Sequence, residues 1–117
     1  RESTHGPIKV GNLATKRDYT DVRDVANAYV LLATHPEQPK QLVYNICSGK
    51  SVSGEEMLTT IASALQIDIP ETIIDEALVR PNEVMDIRGD NTSISSELGW
   101  TPSIDIEKTI RDIVASK

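Results

Sequence analysis

Phenylalanine is absent from these 117 residues, tryptophan and cysteine occur once each, and only two histidines are present. The lone thiol, Cys47, cannot close an internal disulfide. No positioned base is evident for a nucleophilic role, so a core cysteine is expected. His5 and His35 lie far apart without a carboxylate or cysteine at ligand spacing, so no metal site is expected. No apolar run is long enough to cross a bilayer, and nothing resembles a signal peptide; a reducing, cytoplasmic setting and no membrane partner are expected. The formal charge of -6 and a pI near 4.8 argue against a nucleic-acid partner, because phosphate-backbone affinity comes from excess Lys and Arg. The scarcity of aromatics removes the base-stacking platform of single-strand binders.

Two further absences bear on catalysis. A dinucleotide-binding turn needs glycines three residues apart, so that backbone can approach a pyrophosphate at a helix N-terminus. The six glycines stand at positions 6, 11, 49, 54, 89 and 99, and no two have that spacing. A tyrosine followed four residues later by lysine, the lysine lowering the phenol's pKa, is a common proton-transfer pair. Tyr19, Tyr29 and Tyr44 are followed at that distance by Arg23, Ala33 and Ser48. The chain therefore carries no expected catalytic residue and no expected cofactor-binding residue.

The length suits one domain over residues 1–117 and is too short for a nucleotide-binding domain plus a substrate domain. Residues 1–7 read as a loop around Gly6-Pro7. Ile8 to Leu13 alternates as a strand entering a turn, and Lys16 to Asp21 follows as a second extended piece. Val22, Val25, Ala26, Tyr29, Leu32 and Ala33 form an apolar stripe of helical period that should pack on a sheet. Asp21 is placed to cap that helix, Asp24 to favour the positive end of its dipole, and Pro36 to stop it. Leu42 to Ile46 reads as a buried strand. Ser53 and Glu56 form a capping box ahead of Met57, Leu58, Ile61, Ala62 and Leu65. An edge strand is expected near Thr72 to Ile74, since Pro70 interrupts what precedes it. Asp90 opens a short helix through Leu98 that Gly99 ends, and Asp105 caps a last helix carrying Ile106, Ile110, Ile113 and Val114. This order is α/β, without the uninterrupted βαβ series of a complete doubly wound sheet.

Six segments then fall in a recognisable order: VGNL (10–13), KRDYTDVRDVANAY (16–29), VYNICSGKSVS (43–53), RPNEV (80–84), GD (89–90) and ELGWTP (97–102). Together they resemble the C-terminal part of the extended short-chain dehydrogenase/reductases of the NAD-dependent epimerase/dehydratase family that act on nucleotide sugars. The closest resemblance is to the branch of GDP-mannose 4,6-dehydratase and GDP-4-keto-6-deoxy-mannose reductase. The stretch Tyr19-Thr20-Asp21-Val22 is more similar to the reductase, which leaves the reaction type open. The resemblance implies a small mixed α/β substrate-binding lobe that lacks most of the Rossmann domain. It also implies a parent enzyme whose missing N-terminal part holds NAD(P) and the catalytic Tyr and Lys, with none bound by this chain. The start at Arg1, in a loop without an initiator Met, fits a piece of a longer enzyme. The expected partners are a nucleotide sugar, GDP-linked by resemblance, and the missing Rossmann domain. The piece itself is expected to be monomeric or weakly self-associating. A stand-alone nucleotide-sugar-binding module and a purely structural domain are the alternatives.

The same resemblance assigns residues. Arg17 corresponds to an arginine that reaches the diphosphate, a task suited to a planar guanidinium that can bind two oxygens at once. Arg80 and Glu83 lie in a loop whose arginine contacts the diphosphate and whose acid accepts from a ribose hydroxyl, with Pro81 stiffening the turn between them. Val10, Asn12 and Leu13 occupy a segment that passes beside the base and diphosphate, where Gly11 permits close backbone approach. The competing readings are a solvated arginine beside Lys16, a surface ion pair between Arg80 and Glu83, and a plain strand-end turn. Asn45, Trp100 and the final helix read as structural.

Overall fold

The computed structural model describes residues 7–116; of the loop expected over residues 1–7, all but Pro7 lies outside them. Strand β1 (Ile8–Val10) pairs in parallel with β4 (Thr72–Ile74), Ile8 opposite Thr72 and Val10 opposite Ile74. β4 runs into a 3₁₀ turn, Glu76–Leu78, opened by the Asp75 carboxylate accepting from the Ala77 amide. The Asp75 amide donates to the Val10 carbonyl, so the turn is tied back to the end of β1. Strand β2 (Lys16–Arg17) pairs antiparallel with β3 (Val52–Ser53). On its other side the Lys16 amide donates to Met85 O and the Lys16 carbonyl accepts from Ile87 N, which makes β2 the centre of three extended segments.

Four helices follow from local signals. Helix α1 (Val22–Thr34) starts where the Asp21 carboxylate accepts from the Arg23 amide, and ends before His35, whose extended backbone is what Pro36 requires. Helix α2 (Gly54–Leu65) carries both halves of the Ser53–Glu56 capping box. Helix α3 (Thr92–Leu98) stops at Gly99, which sits at φ 71 and donates its amide to Ser95 O. Helix α4 (Ile106–Ala115) is capped by Asp105, which accepts from the Lys108 amide, and it packs on α2. The start of α3 differs from expectation by one residue. Asn91 occupies the cap position, its side chain donating to Cys47 O, while the Asp90 carboxylate takes the Thr92 amide.

Three expectations need correction. Residues 42–46 are not a strand: Leu42 and Val43 are exposed, while Tyr44 and Ile46 turn toward the core. A strand exists only by hydrogen-bonding to a neighbour, and among the described residues no segment lies alongside. Asn45, expected to hold neighbouring segments, is exposed. The stripe of α1 also faces the wrong way for a sheet within this chain: Val22, Ala26, Tyr29 and Ala33 are exposed. At about 100° per residue, the buried set Asp24 and Ala28, with half-buried Leu31, lies on roughly the opposite side.

The core is small. Ala28, Ile94 and Trp100 are almost fully buried, with Leu31, Leu32, Tyr44, Ile46 and Leu98 packed around them. Asp24 does more than complement a dipole. Its carboxylate accepts from Ser103 N, Ser103 Oγ and Ile104 N at 3.0–3.1 Å, and its carbonyl accepts the Trp100 indole N–H at 2.9 Å. The Cα radius of gyration is 17.6 Å with extents of 56 × 36 × 16 Å. A compact chain of this length would have a radius near 13 Å. The thinnest dimension is little more than the width of one helix, about 10–12 Å.

Candidate functional site

The site is built around β2, whose central position fixes the backbone from which Arg17 projects. The Arg17 guanidinium donates from Nη1 to Lys16 O at 2.7 Å and to Val84 O at 2.8 Å, and from Nη2 to Glu83 Oε1 at 3.2 Å. The competing ion pair between Arg80 and Glu83 is therefore not the one formed; Glu83 pairs with Arg17. A guanidinium has five N–H donors. Three are engaged, and among the described residues no acceptor meets the Nε–H or the second Nη2–H. The side chains of Arg17 and Glu83 keep 30% and 20% of their accessible surface, so the pair is reachable from solvent and partly desolvated.

Immediately behind Arg17, Asp18 ties three loops together. Its Oδ1 accepts from Ser48 N and Ser48 Oγ, and its Oδ2 from Gly49 N and Gly89 N. Burial pushes this carboxyl up, but the donors from Ser48, Gly89 and Gly49 outweigh it and hold it below the ordinary value. Asp18 thereby anchors the far end of the loop that carries Glu83. Sequence reasoning passed over it, although it lies inside the KRDY segment; a carboxylate surrounded by amides 30 and 71 residues away has no local signature. Cys47, half-buried and packed on Gly89, has its thiol pushed up by burial and by the charges of Asp18 and Asp90.

The remaining residues divide. Val10 closes β1, tied to the 3₁₀ turn through its carbonyl. Gly11 does permit close approach, but to this chain: a Cβ there would lie 2.6 Å from Leu78 O. The Asn12 Oδ1 accepts from Ala14 N at 2.9 Å and its Nδ2 faces Met85 Sδ at 3.8 Å, which sets it against the same loop as Glu83. Leu13 points elsewhere, packing on Gly54 at the start of α2. Arg80 is exposed at the entry to the turn over residues 81–82, where Asn82 takes a positive φ of 58. It makes no hydrogen bond or ion pair among the described residues, so no contact joins it to Arg17. A cavity of about 380 Å³ opens between Tyr19, Ser48, Lys50, Glu56 and Asp105, and none of the candidate residues lines it. Among the described residues no group of His, Cys, Asp or Glu is placed to hold a metal ion, and no helix is long and apolar enough to cross a membrane.

This arrangement of two short sheets and four helices recurs in solved enzymes. Its class is that of the nucleotide-sugar-modifying short-chain dehydrogenases, of which the chain forms a small mixed α/β part. RMD from Pseudomonas aeruginosa, solved in complex with NADPH, superposes with a TM-score of 0.80 at 32% identity, covering 93% of this chain and 35% of that one. A family model described as GDP-mannose 4,6 dehydratase matches residues 2–113, and the chain belongs to that family. GDP-6-deoxy-D-mannose reductase of Pseudomonas aeruginosa is 33% identical over 108 residues, 92% of this chain. A probable UDP-arabinose 4-epimerase of rice (Oryza sativa subsp. japonica) is 34% identical over 85 residues, 73% of this chain. The chain spans about a third of the reductase, 34%, and 20% of the epimerase.

The family implies a nicotinamide cofactor, and the residues present do not fit one. No pair of glycines is spaced to let backbone approach a pyrophosphate, and no tyrosine has its lysine.

Proposed function

We propose that this chain is the nucleotide-sugar-binding lobe of a GDP-mannose 4,6-dehydratase or a GDP-4-keto-6-deoxy-mannose reductase. Arg17 and Arg80 grip the diphosphate, Glu83 accepts from a ribose hydroxyl, and Val10 and Asn12, with Leu13 behind them, line the passage of the base. The 3.2 Å contact between Arg17 and Glu83 carries the reading, because it joins two segments 66 residues apart that the resemblance assigns to one ligand. The two spare N–H groups of Arg17 match the two-oxygen grip by which arginine holds phosphate. NAD(P) and the proton-transferring Tyr and Lys belong to a Rossmann domain outside this chain, which would cover the exposed stripe of α1 and pair with residues 42–46. Alone, the lobe is monomeric or weakly self-associating and catalytically silent.

The relation to a UDP-arabinose 4-epimerase supports a second reading, in which the base is uracil and the reaction an epimerisation. Calorimetric titration of the protein carrying both domains with GDP, UDP and dTDP separates the two. Replacing Arg80 by Ala should weaken the preferred nucleotide by about 1.5–3 kcal/mol, the scale of a hydrogen bond to a charged group. Arg80→Lys should recover only part of this, since an ammonium keeps the charge and loses the fork. Unchanged affinity in Arg80→Ala removes that arginine from the site, and a preference for UDP moves the protein to the epimerase branch.

A further inference from the structure

We propose that Glu83 determines specificity by charge: it makes the Arg17 site poor for bare phosphates and good only for a diphosphate that arrives with a ribose diol. The proposal rests on reading Arg17 as a diphosphate arginine. Glu83 Oε1 lies 3.2 Å from Nη2, on the nitrogen that also carries one of the spare donors. An anion bound to those donors must therefore sit near the carboxylate. With only 30% and 20% of the two side chains accessible, the repulsion between the two negative groups is screened less than at an open surface. Inorganic pyrophosphate bears that repulsion in full.

A ligand with a ribose beside its diphosphate meets the same repulsion but can offset it. Only Oε1 of Glu83 is engaged by Arg17, and among the described residues no donor meets Oε2. A ribose hydroxyl that donates to Oε2 gains a charge-assisted hydrogen bond, which compensates for the repulsion. One carboxylate thus penalises the wrong ligand and contacts the right one, and the difference between the two affinities is the discrimination. The guanidinium does not depend on Glu83 for its place, because Nη1 is held separately by Lys16 O and Val84 O. Removing the charge therefore changes the field at Arg17 without releasing its side chain.

The test is an NMR titration of the ¹⁵N-labelled 117-residue chain at low ionic strength, with inorganic pyrophosphate and GDP as probes and the Arg17 Nε–H signal as readout. Glu83→Gln should tighten pyrophosphate about three- to tenfold, the scale of one partly screened charge. The ratio of GDP to pyrophosphate affinity should fall by about tenfold, since GDP also loses a charged acceptor. Glu83→Ala should tighten pyrophosphate likewise and weaken GDP outright. A residue that merely held the loop would weaken both ligands together, so pyrophosphate binding that is unchanged or weaker in both variants overturns the proposal. If neither probe moves the Arg17 signal in wild type at tens of millimolar, or if the backbone amide signals of residues 16–18 and 83–85 titrate alike in wild type and in Arg17→Ala, the diphosphate reading beneath it has failed instead.

Discussion

Asp24, 3% exposed, receives three hydrogen bonds from a loop 79 and 80 residues away, and its own carbonyl takes the Trp100 indole. A buried carboxylate in this position is costly to disturb, because removing it leaves the Ser103 and Ile104 amides without partners. Asp24→Ala is expected to cost about 2–4 kcal/mol of unfolding free energy, whereas Ser103→Ala, which deletes one of the three bonds, should cost about 1 kcal/mol. Urea denaturation of both variants checks this; equal losses would show that the loop is held by something other than Asp24. The sequence marks Asp24 only as an acid in a first helical turn, and it gives Asp18 no mark at all. The order of the motifs singles out Arg17, Arg80 and Glu83 as candidates, but it does not show which of them pair. Whether Glu83 meets Arg80, three residues away, or Arg17, 66 residues away, depends on β2 being flanked by residues 85–87, a tertiary fact.

Helix α4 is held to the start of α1 by one ionic cluster. Arg23 donates from Nε and Nη2 to both oxygens of Asp21 and from Nη1 to Asp112, while Thr109 Oγ1 donates to Asp21. Donation from the Arg23 side chain, then from Thr109, holds the Asp21 carboxyl far below the usual carboxylate range despite its burial. Donation from Arg23 and Lys108 lowers Asp112 as well. A group whose folded pKa is depressed contributes stability that is complete above its unfolded value and is lost as pH falls toward the folded one. The contribution of this cluster should therefore be constant near neutrality and decline from about pH 4 downward. Chemical denaturation at pH 7, 4 and 3 should show a steeper acid loss in wild type than in Asp21→Asn; parallel losses would remove the cluster as the cause. The same elements show which structure is readable from sequence. The caps Asp21, Ser53 and Asp105 act within three residues and were legible for that reason. Residues 42–46 have the composition of a strand, yet strand formation needs a neighbour that composition cannot supply.

On the scale of the whole chain, the apolar surface is divided between two fates. Ile94 and Trp100 are buried at 0% and 1%, while Val22 and Tyr29 on α1 remain 76% and 63% exposed, and Leu42 is fully exposed. An amphipathic helix with its stripe in solvent forgoes most of the burial that ordinarily stabilises it. A radius of 17.6 Å in a slab 16 Å thick gives the chain no second layer to provide that burial. The stripe therefore contributes little to the stability of the lobe as it stands. Tyr29→Lys in the 117-residue chain should change unfolding free energy by no more than about 0.5 kcal/mol, as at an ordinary surface site. Ile94→Ala should cost about 2–5 kcal/mol, as in a packed core. On the proposed reading a nucleotide-binding domain covers the stripe, and in the protein carrying it a lysine at position 29 should lose stability on the same scale as the core cavity. Thermal and urea melts of both variants in the short and long forms measure the four values. A large loss from Tyr29→Lys in the short chain, with sedimentation showing dimers that the substitution disperses, would mean that two copies cover each other's stripes. A small loss in both forms would mean that the stripe of α1 is not where the proposed nucleotide-binding domain docks.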